Sequence, residues 1–442
     1  MIILFFVVLV LAIIVIAIIR FDIHPFLALF VGAILYGLLA GMSPDLILQS
    51  IADGFGGVMG KIGLVILLGV IIGTFLEKTG GALVIAQRVL AWIGEKSAVL
   101  AMMITGWILS VPIFGDSAFV MMNPISKSIA FKGKLNFAMM TVALTLGLTA
   151  THSLVPPTPG PIAAAGILNA DLGMVILWGM IVSILALIPC YYFVKYYVSR
   201  FHLEAKVETE SATVTIKKYP SLGKATMPIL IPLLLIVFAS VANYPTRPFG
   251  EGAFSKILVF LGHPVMALLI GAFLSFVLPA KFDIKLLGST GWIGDSLVLA
   301  APIILITGAG GVFGMMLQNS GIAELVSSNM ANINWGLFLP FLMALALKTA
   351  QGSSTVAMIT TASIVVPLLP LLGLDSDIMK VFTVLAIGCG AIAVSHANDS
   401  FFWVMTQMTG MNIKMGNQTH SLGTLLLACT AILVLYGFSF FV

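Results

Sequence analysis

The chain predicts an all-α polytopic membrane protein, built as an inverted repeat with two re-entrant hairpins and two broken helices. Three observations carry that prediction. The 442 residues are 60 % hydrophobic and only 9 % charged, with mean hydropathy +1.15, where a soluble domain carries roughly 25 % charge. Apolar runs long enough to cross a roughly 30 Å hydrocarbon layer recur along the sequence. Blocks of the first half also return in the second. His24-Pro25, Ala28-Leu29 and Gly32-Ala33 match His263-Pro264, Ala267-Leu268 and Gly271-Ala272 at an offset of 239. Gly69, Gly73, Leu76, Gly80 and Ala82 match Gly310, Gly314, Leu317, Gly321 and Ala323 at 241, and His152 and Gly166 match His396 and Gly410 at 244. Colinear blocks at near-constant spacing mark an internal duplication.

The same composition excludes other classes. A net charge of +4, spread over loops, implies no nucleic-acid partner. Cys190, Cys389 and Cys429 stand alone in apolar sequence and read as packing residues, with no metal-ligand spacing. No phosphate-binding glycine loop is present. No enzyme site and no resident cofactor are expected.

In order, Met1 to Ile19 reads as a retained first span and Pro25 to Ala40 as the second. A turn-rich acidic loop with Asp45 and Asp53 is expected next, then a third span over Val58 to Leu76. Ala82 to Trp92, with Gln87 and Arg88, predicts a short or interfacial helix. Residues 98–130 form two apolar arms too short to span, flanking Ser110 to Ser117, and predict the first hairpin. Residues 135–170 predict a helix opened around Thr151 to Pro161, because four prolines remove donors and break the ladder. Leu172 to Tyr192 closes a first repeat, 1–196. A polar linker, 197–224, follows. The second repeat, 225–442, has spans at Thr226 to Ala242, Pro264 to Pro279 and Leu297 to Leu317. Its hairpin is expected at 335–367, its broken helix at 378–411, and its last span at Ser421 to Phe441.

Basic residues favour the cytoplasmic side. Placing Arg20, Lys78, Arg88, Lys96, Lys127 to Lys134, the linker, Lys281 and Lys414 there leaves Asp171, Arg247, Asp375 and Asp377 outside. That gives ten crossings plus two hairpins, with halves of opposite orientation, a plan shared by many secondary transporters.

An inverted repeat brings two hairpin tips and two helix breaks toward the midplane from opposite sides. Four polar patches then converge: Gly115, Asp116 and Ser117; Thr151, His152, Ser153 and Thr158; Gln351, Gly352, Ser353, Ser354 and Thr355; Ser395, His396, Asn398 and Asp399. Hydroxyls, amides and freed backbone N–H groups suit a polyhydroxylated solute, and helix amino-termini favour a carboxylate. Only Lys348, bordering the third patch, offers a cation. Ionisable groups at membrane depth are costly and usually functional. Asp116, Asp399, His152 and His396 are therefore candidates for carrying a coupled proton, against the alternatives of helix capping and structural pairing. His24 and His263, each before a proline, read as structural, and Glu77 and Gln318 lie near membrane edges.

At these residues the chain resembles the gluconate permease family of bacterial inner-membrane symporters. The run Thr151-His152-Ser153-Leu154-Val155-Pro156-Pro157-Thr158-Pro159-Gly160-Pro161 carries the resemblance, with Gly54 to Ala86, Pro112 to Ala130, Thr151 to Gly173 and Ser395 to Gly410 around it. The resemblance implies proton-coupled uptake of gluconate, another sugar acid or D-serine, with sodium coupling as the alternative. It also implies an elevator arrangement: a transport domain bearing the hairpins, and a scaffold of the first two spans and their repeat mates that forms a homodimer.

Overall fold

The computed structural model describes residues 2–21, 23–94, 97–205, 219–243, 248–320, 335–396 and 399–441. Asn398, Lys96, Arg247, Gly321, Ala323 and linker residues 206–218 lie outside that set. Helices account for all regular structure among the described residues.

The chain opens with α1 (Ile2–Phe21) and α2 (Pro25–Leu39). Pro25 takes the first position of α2 and His24 Nδ1 accepts from Phe26 N at 3.3 Å, so this His-Pro pair is a helix start. α3 (Pro44–Val58) begins in the same way, with Ser43 Oγ accepting from Leu46 N at 3.3 Å. It continues through a π-helical turn, Met59–Gly63, into α4 (Leu64–Lys78). Asp45 and Asp53 therefore lie on a helix, not in the expected loop, and the third span begins at residue 44. Polar residues and glycines dilute its hydropathy, yet Ile47, Ser50 and Gly54 bury one face.

α5 (Gly81–Ile93) leads to α6 (Ala98–Leu109) and α7 (Gly115–Gly133), the helix pair at 98–130; α6 is short as expected, but α7 runs for 19 residues, longer than the expected arm. α8 (Phe137–Leu154) and α9 (Pro159–Leu168) form the first broken helix. The opening is narrower than expected. The residue before a proline is pushed out of helical conformation, and Val155, before Pro156, is extended. Pro159 and Pro161 fall in the first turn of α9, where a helix needs no donor. α10 (Leu172–Tyr196) follows, capped by Asp171 Oδ1, which accepts from Met174 N at 2.7 Å.

The second half opens with α11 (Leu222–Ala242), α12 (Ala253–Leu261) and α13 (Pro264–Ser275), the last two bent by 67° at Gly262-His263. α14 (Trp292–Asn319) precedes the second short pair, α15 (Phe338–Gln351) and α16 (Ser354–Val365). α17 (Asp377–Ile392) and α18 (Ser400–Thr409) form the second broken helix. α19 (Ile413–Gly416) passes through a π-turn, Asn417–Ser421, into α20 (Leu422–Ser439). The second break has no proline. Val394 sits at φ 47°, and hydroxyls of α20 and the π-turn take up the freed backbone: Ser395 N donates to Thr424 Oγ1 at 3.2 Å, and Ser421 Oγ donates to Ser395 O.

Six described helical stretches are long and apolar enough to cross a membrane, or seven with the bent α12–α13 pair counted as one span. Of the remaining expected crossings, α2 is a shorter apolar helix of 15 residues, and α5, expected as a short or interfacial helix, has 13. Phe137–Leu168 is 83 % buried over its apolar window, against 39–56 % for the other five. Its break is thus sheltered inside protein, the condition under which open backbone survives at membrane depth.

Glycine lets the inner helices touch. A Cβ on Gly147 of α8 would stand 2.0 Å from Met103 O on α6, and one on Gly106 of α6 would stand 2.4 Å from Leu144 O. In the second half a Cβ on Gly390 of α17 would stand 2.2 Å from Phe341 O on α15. Each broken helix thus lies backbone to backbone on the first arm of its own short pair. The second arms cross over. α9 packs on α16, and α18 packs on α7 with Phe119 and Phe401 edge to face at 5.9 Å.

Candidate functional site

Breaks and turns meet around a cavity of about 580 Å³. One wall is α4 and α14, through Val70, Gly73, Thr74, Glu77, Leu299 and Ile303. The rest comes from the α6–α7 turn, the end of α8, the α15–α16 turn and the second break. Of the residues expected there, Gly115, Asp116, Ser117, His152, Gln351, Gly352, Ser353, Ser354, Thr355, Ser395 and Asp399 line it. Thr151, Ser153, Thr158 and His396 do not. Thr151 Oγ1 donates to Trp107 O at 2.9 Å and Thr158 Oγ1 to Val155 O at 2.6 Å, so both hydroxyls serve the backbone. Ser153 is buried. His396 Nε2 pairs with Thr349 O at 3.0 Å, pinning the second break to the end of α15.

Three helix amino-termini open on the cavity. α7 presents Gly115, Asp116 and Ser117; α16 presents Ser354 and Thr355 behind its cap Ser353; α18 presents Ser400 and Phe401 behind its cap Asp399. Unpaired N–H groups at such termini attract negative charge. A fourth positive element is Lys348. Its side chain is 3 % exposed, and Nζ donates to Gly352 O and, at 2.6 Å, to Asp399 Oδ2. Asp399 also accepts from Ser395 Oγ at 2.6 Å and, through Oδ1, from Phe401 N at 3.0 Å. A buried cation and carboxylate in contact persist when further hydrogen bonds satisfy both, as here.

Among the described residues, two polar atoms in the wall are buried without a partner, His152 Nδ1 and Gln351 Nε2. Each costs free energy until something bonds it. Glu77 is exposed at the rim in polar contact with Ser117, and the neighbouring Lys78 pairs with Asp295 on α14. The sequence places Glu77 near a membrane edge and Lys348 as a helper; the fold puts both on the cavity. His420 is passed over in the sequence, although an ionisable residue inside an apolar span is itself a signal. It is fully buried in the π-turn, with Nδ1 3.1 Å from Thr145 Oγ1 and its ring against Phe401. No three His, Cys, Asp or Glu side chains gather as a metal site among the described residues.

An all-α membrane fold whose polar cavity is walled by helix breaks defines a transporter rather than an enzyme. The chain belongs to the GntP permease family: the model of the GntP family permease matches residues 1–441. It is a multi-pass protein of the bacterial inner membrane. It is 33 % identical over 405 residues to the gluconate permease of Pseudomonas aeruginosa, covering 89 % of this chain and 88 % of that one. It is 31 % identical over 437 residues to the D-serine transporter DsdX of Escherichia coli, covering 97 % and 96 %. Its fold matches that of the Alcanivorax borkumensis YdaH transporter with a TM-score of 0.57 over 90 % of both chains, at 13 % identity.

Proposed function

We propose that the protein is a proton-coupled symporter that carries gluconate or a related sugar acid into the cell. The observation that carries this reading is the make-up of one cavity. Three helix amino-termini and the Lys348 ammonium converge for a carboxylate, and hydroxyls, Gln351 and His152 line the walls for a polyhydroxylated chain. The gluconate permease relative supports the same class of solute. Asp116 and Asp399 are the acidic members of the substrate and coupling site, with His152 as a polar contact and His396 as a brace.

Two duplicated units of opposite orientation fit the crossed packing, in which the second arm of each break rests on the second arm of the other half's short pair. On this reading the short pairs and breaks form the moving transport domain. The scaffold is α1, α2 and their mates, and two copies assemble through it.

The test is uptake of labelled gluconate into proteoliposomes under an imposed pH gradient, acid outside. Accumulation that collapses with a protonophore is expected. Uptake that persists without a proton gradient and requires sodium would sink the proton reading. A second substrate has specific support in the D-serine transporter relative. Competition by D-serine and by erythronate, a four-carbon sugar acid, decides it: stronger block by either than by unlabelled gluconate reassigns the solute.

A further inference from the structure

We infer that Asp116 is the carboxylate that takes up the coupled proton, while Asp399 is a positioning residue that holds Lys348 for the substrate carboxylate. The inference rests on the symport reading above and divides work between two residues that the sequence treats alike.

The two carboxylates have different surroundings. Asp399 is 7 % exposed and accepts three hydrogen bonds, from Lys348, Ser395 and Phe401. A proton on Asp399 would strand the Lys348 ammonium without its counter-ion. Asp116 has no such support. Its one hydrogen bond among the described residues comes from Ser400 Oγ at 3.4 Å, the weak end of the range. The titratable groups that share its cavity are Asp399 on the second break, Lys348 on α15, Glu77 on α4 and His152 on α8. The only cation among them is already matched by Asp399.

Charge counting then couples the two cargoes. An ammonium has three donors, and among the described residues Lys348 uses two, on Gly352 and Asp399. The third is left for a substrate carboxylate. An ionised Asp116 beside that carboxylate puts two like charges within one protein-walled cavity. A proton on Asp116 removes the repulsion and supplies a donor to the same anion. Anion and proton therefore favour each other's binding, which is reciprocal coupling in the thermodynamic sense. The histidines take other parts. His396 is held on Thr349 O, and His152, packed against Phe114 with Nδ1 unpartnered, meets a substrate hydroxyl.

The experiment compares wild type, Asp116→Asn, Asp116→Glu and Asp399→Asn in proteoliposomes. Asp116→Asn is expected to exchange labelled for unlabelled gluconate at a reduced rate yet lose gradient-driven accumulation. Asp116→Glu keeps accumulation, and Asp399→Asn loses both. Accumulation by Asp116→Asn, or uncoupled exchange by Asp399→Asn with coupling intact in Asp116→Asn, overturns the inference. A second measurement needs no variant. Dicyclohexylcarbodiimide modifies protonated carboxyl groups in apolar surroundings, and peptide mapping of the treated wild type is expected to find Asp116 labelled, with labelling lost at alkaline pH. Label on Asp399 and none on Asp116 overturns the inference. A wild type that accumulates no acid refutes the symport reading itself, and the carbodiimide map still reports which carboxylate holds the proton.

Discussion

Lys348 and Asp399 form an exacting side-chain pair, since both are buried and each neutralises the other. Removing one partner of such a pair costs about 3–5 kcal/mol, because the survivor is left charged and unmatched. Lys348→Met is therefore expected to lower thermal stability markedly and abolish gluconate uptake. The double variant Lys348→Met/Asp399→Asn is expected to recover much of the stability and none of the uptake, as read by a melting curve in detergent beside a transport assay. Equal melting of the single and double variants would remove the pair from the stability account. Gln351 gives the opposite pattern. Its Nε2 is buried without a partner among the described residues, so Gln351→Leu is expected to leave stability intact. Losing a hydrogen bond to a neutral substrate hydroxyl costs about 0.5–1.5 kcal/mol, so gluconate KM is expected to rise roughly 2- to 10-fold. The residue types of this site were legible in the sequence; their partners were not. Thr151 and Thr158 belong to the same polar patch as His152, yet both spend their hydroxyls on backbone carbonyls. No spacing rule distinguishes a hydroxyl that caps a break from one that faces a cavity a turn away.

Among the elements, the two broken helices do the same job by different chemistry. Proline enforces the first, because Val155 is driven out of the helix by Pro156, and that break could be read directly. The second break depends on hydroxyls reaching in from α20 and the π-turn, contacts that span 26 and 29 residues. Only its polar residues and its repeat partner made it visible beforehand. Helix α3 was misread because its apolar residues are spaced for one buried face rather than for a continuous apolar run. Close glycine contacts fix how the breaks sit on the short pairs. Gly147→Val places new carbon atoms against Met103 O, where a Cβ alone would stand at 2.0 Å. It is expected to cut the yield of monodisperse protein in size-exclusion chromatography. Gly57→Ala, with nothing within 4 Å of the added carbon, is the matched control expected to behave as wild type.

At the scale of the whole molecule, charge is arranged by depth. The described buried cation is Lys348, and its counter-ion is Asp399. The Lys78–Asp295 pair sits at the rim, where both side chains remain partly exposed and solvent screens them. A cavity whose one cation is already matched by Asp399, and which also holds Asp116, admits an anion readily only with a compensating proton, so the coupling argument is a property of the assembled site. The outer faces of α1, α2 and α13 expose large apolar side chains such as Phe5, Val31 and Phe273. Native mass spectrometry of the detergent-released protein is expected to give twice 46.8 kDa, and a monomer mass would count against assembly through the scaffold.

The sequence alone determined that the chain is an all-α membrane protein, where its proline-rich break falls, which polar patches interrupt its apolar runs, and which family it belongs to. Those properties are local or compositional: hydropathy, proline sterics and motif spacing act within a few turns of helix. Tertiary structure decided the rest. It brought Glu77 and Lys348 to the cavity, turned Thr151 and Thr158 away from it, and gave Asp399 three hydrogen bonds while leaving Asp116 with one weak contact. The reason is that a carboxylate's role depends on its counter-ion, and here the counter-ion lies 51 residues away in the chain and 2.6 Å away in space.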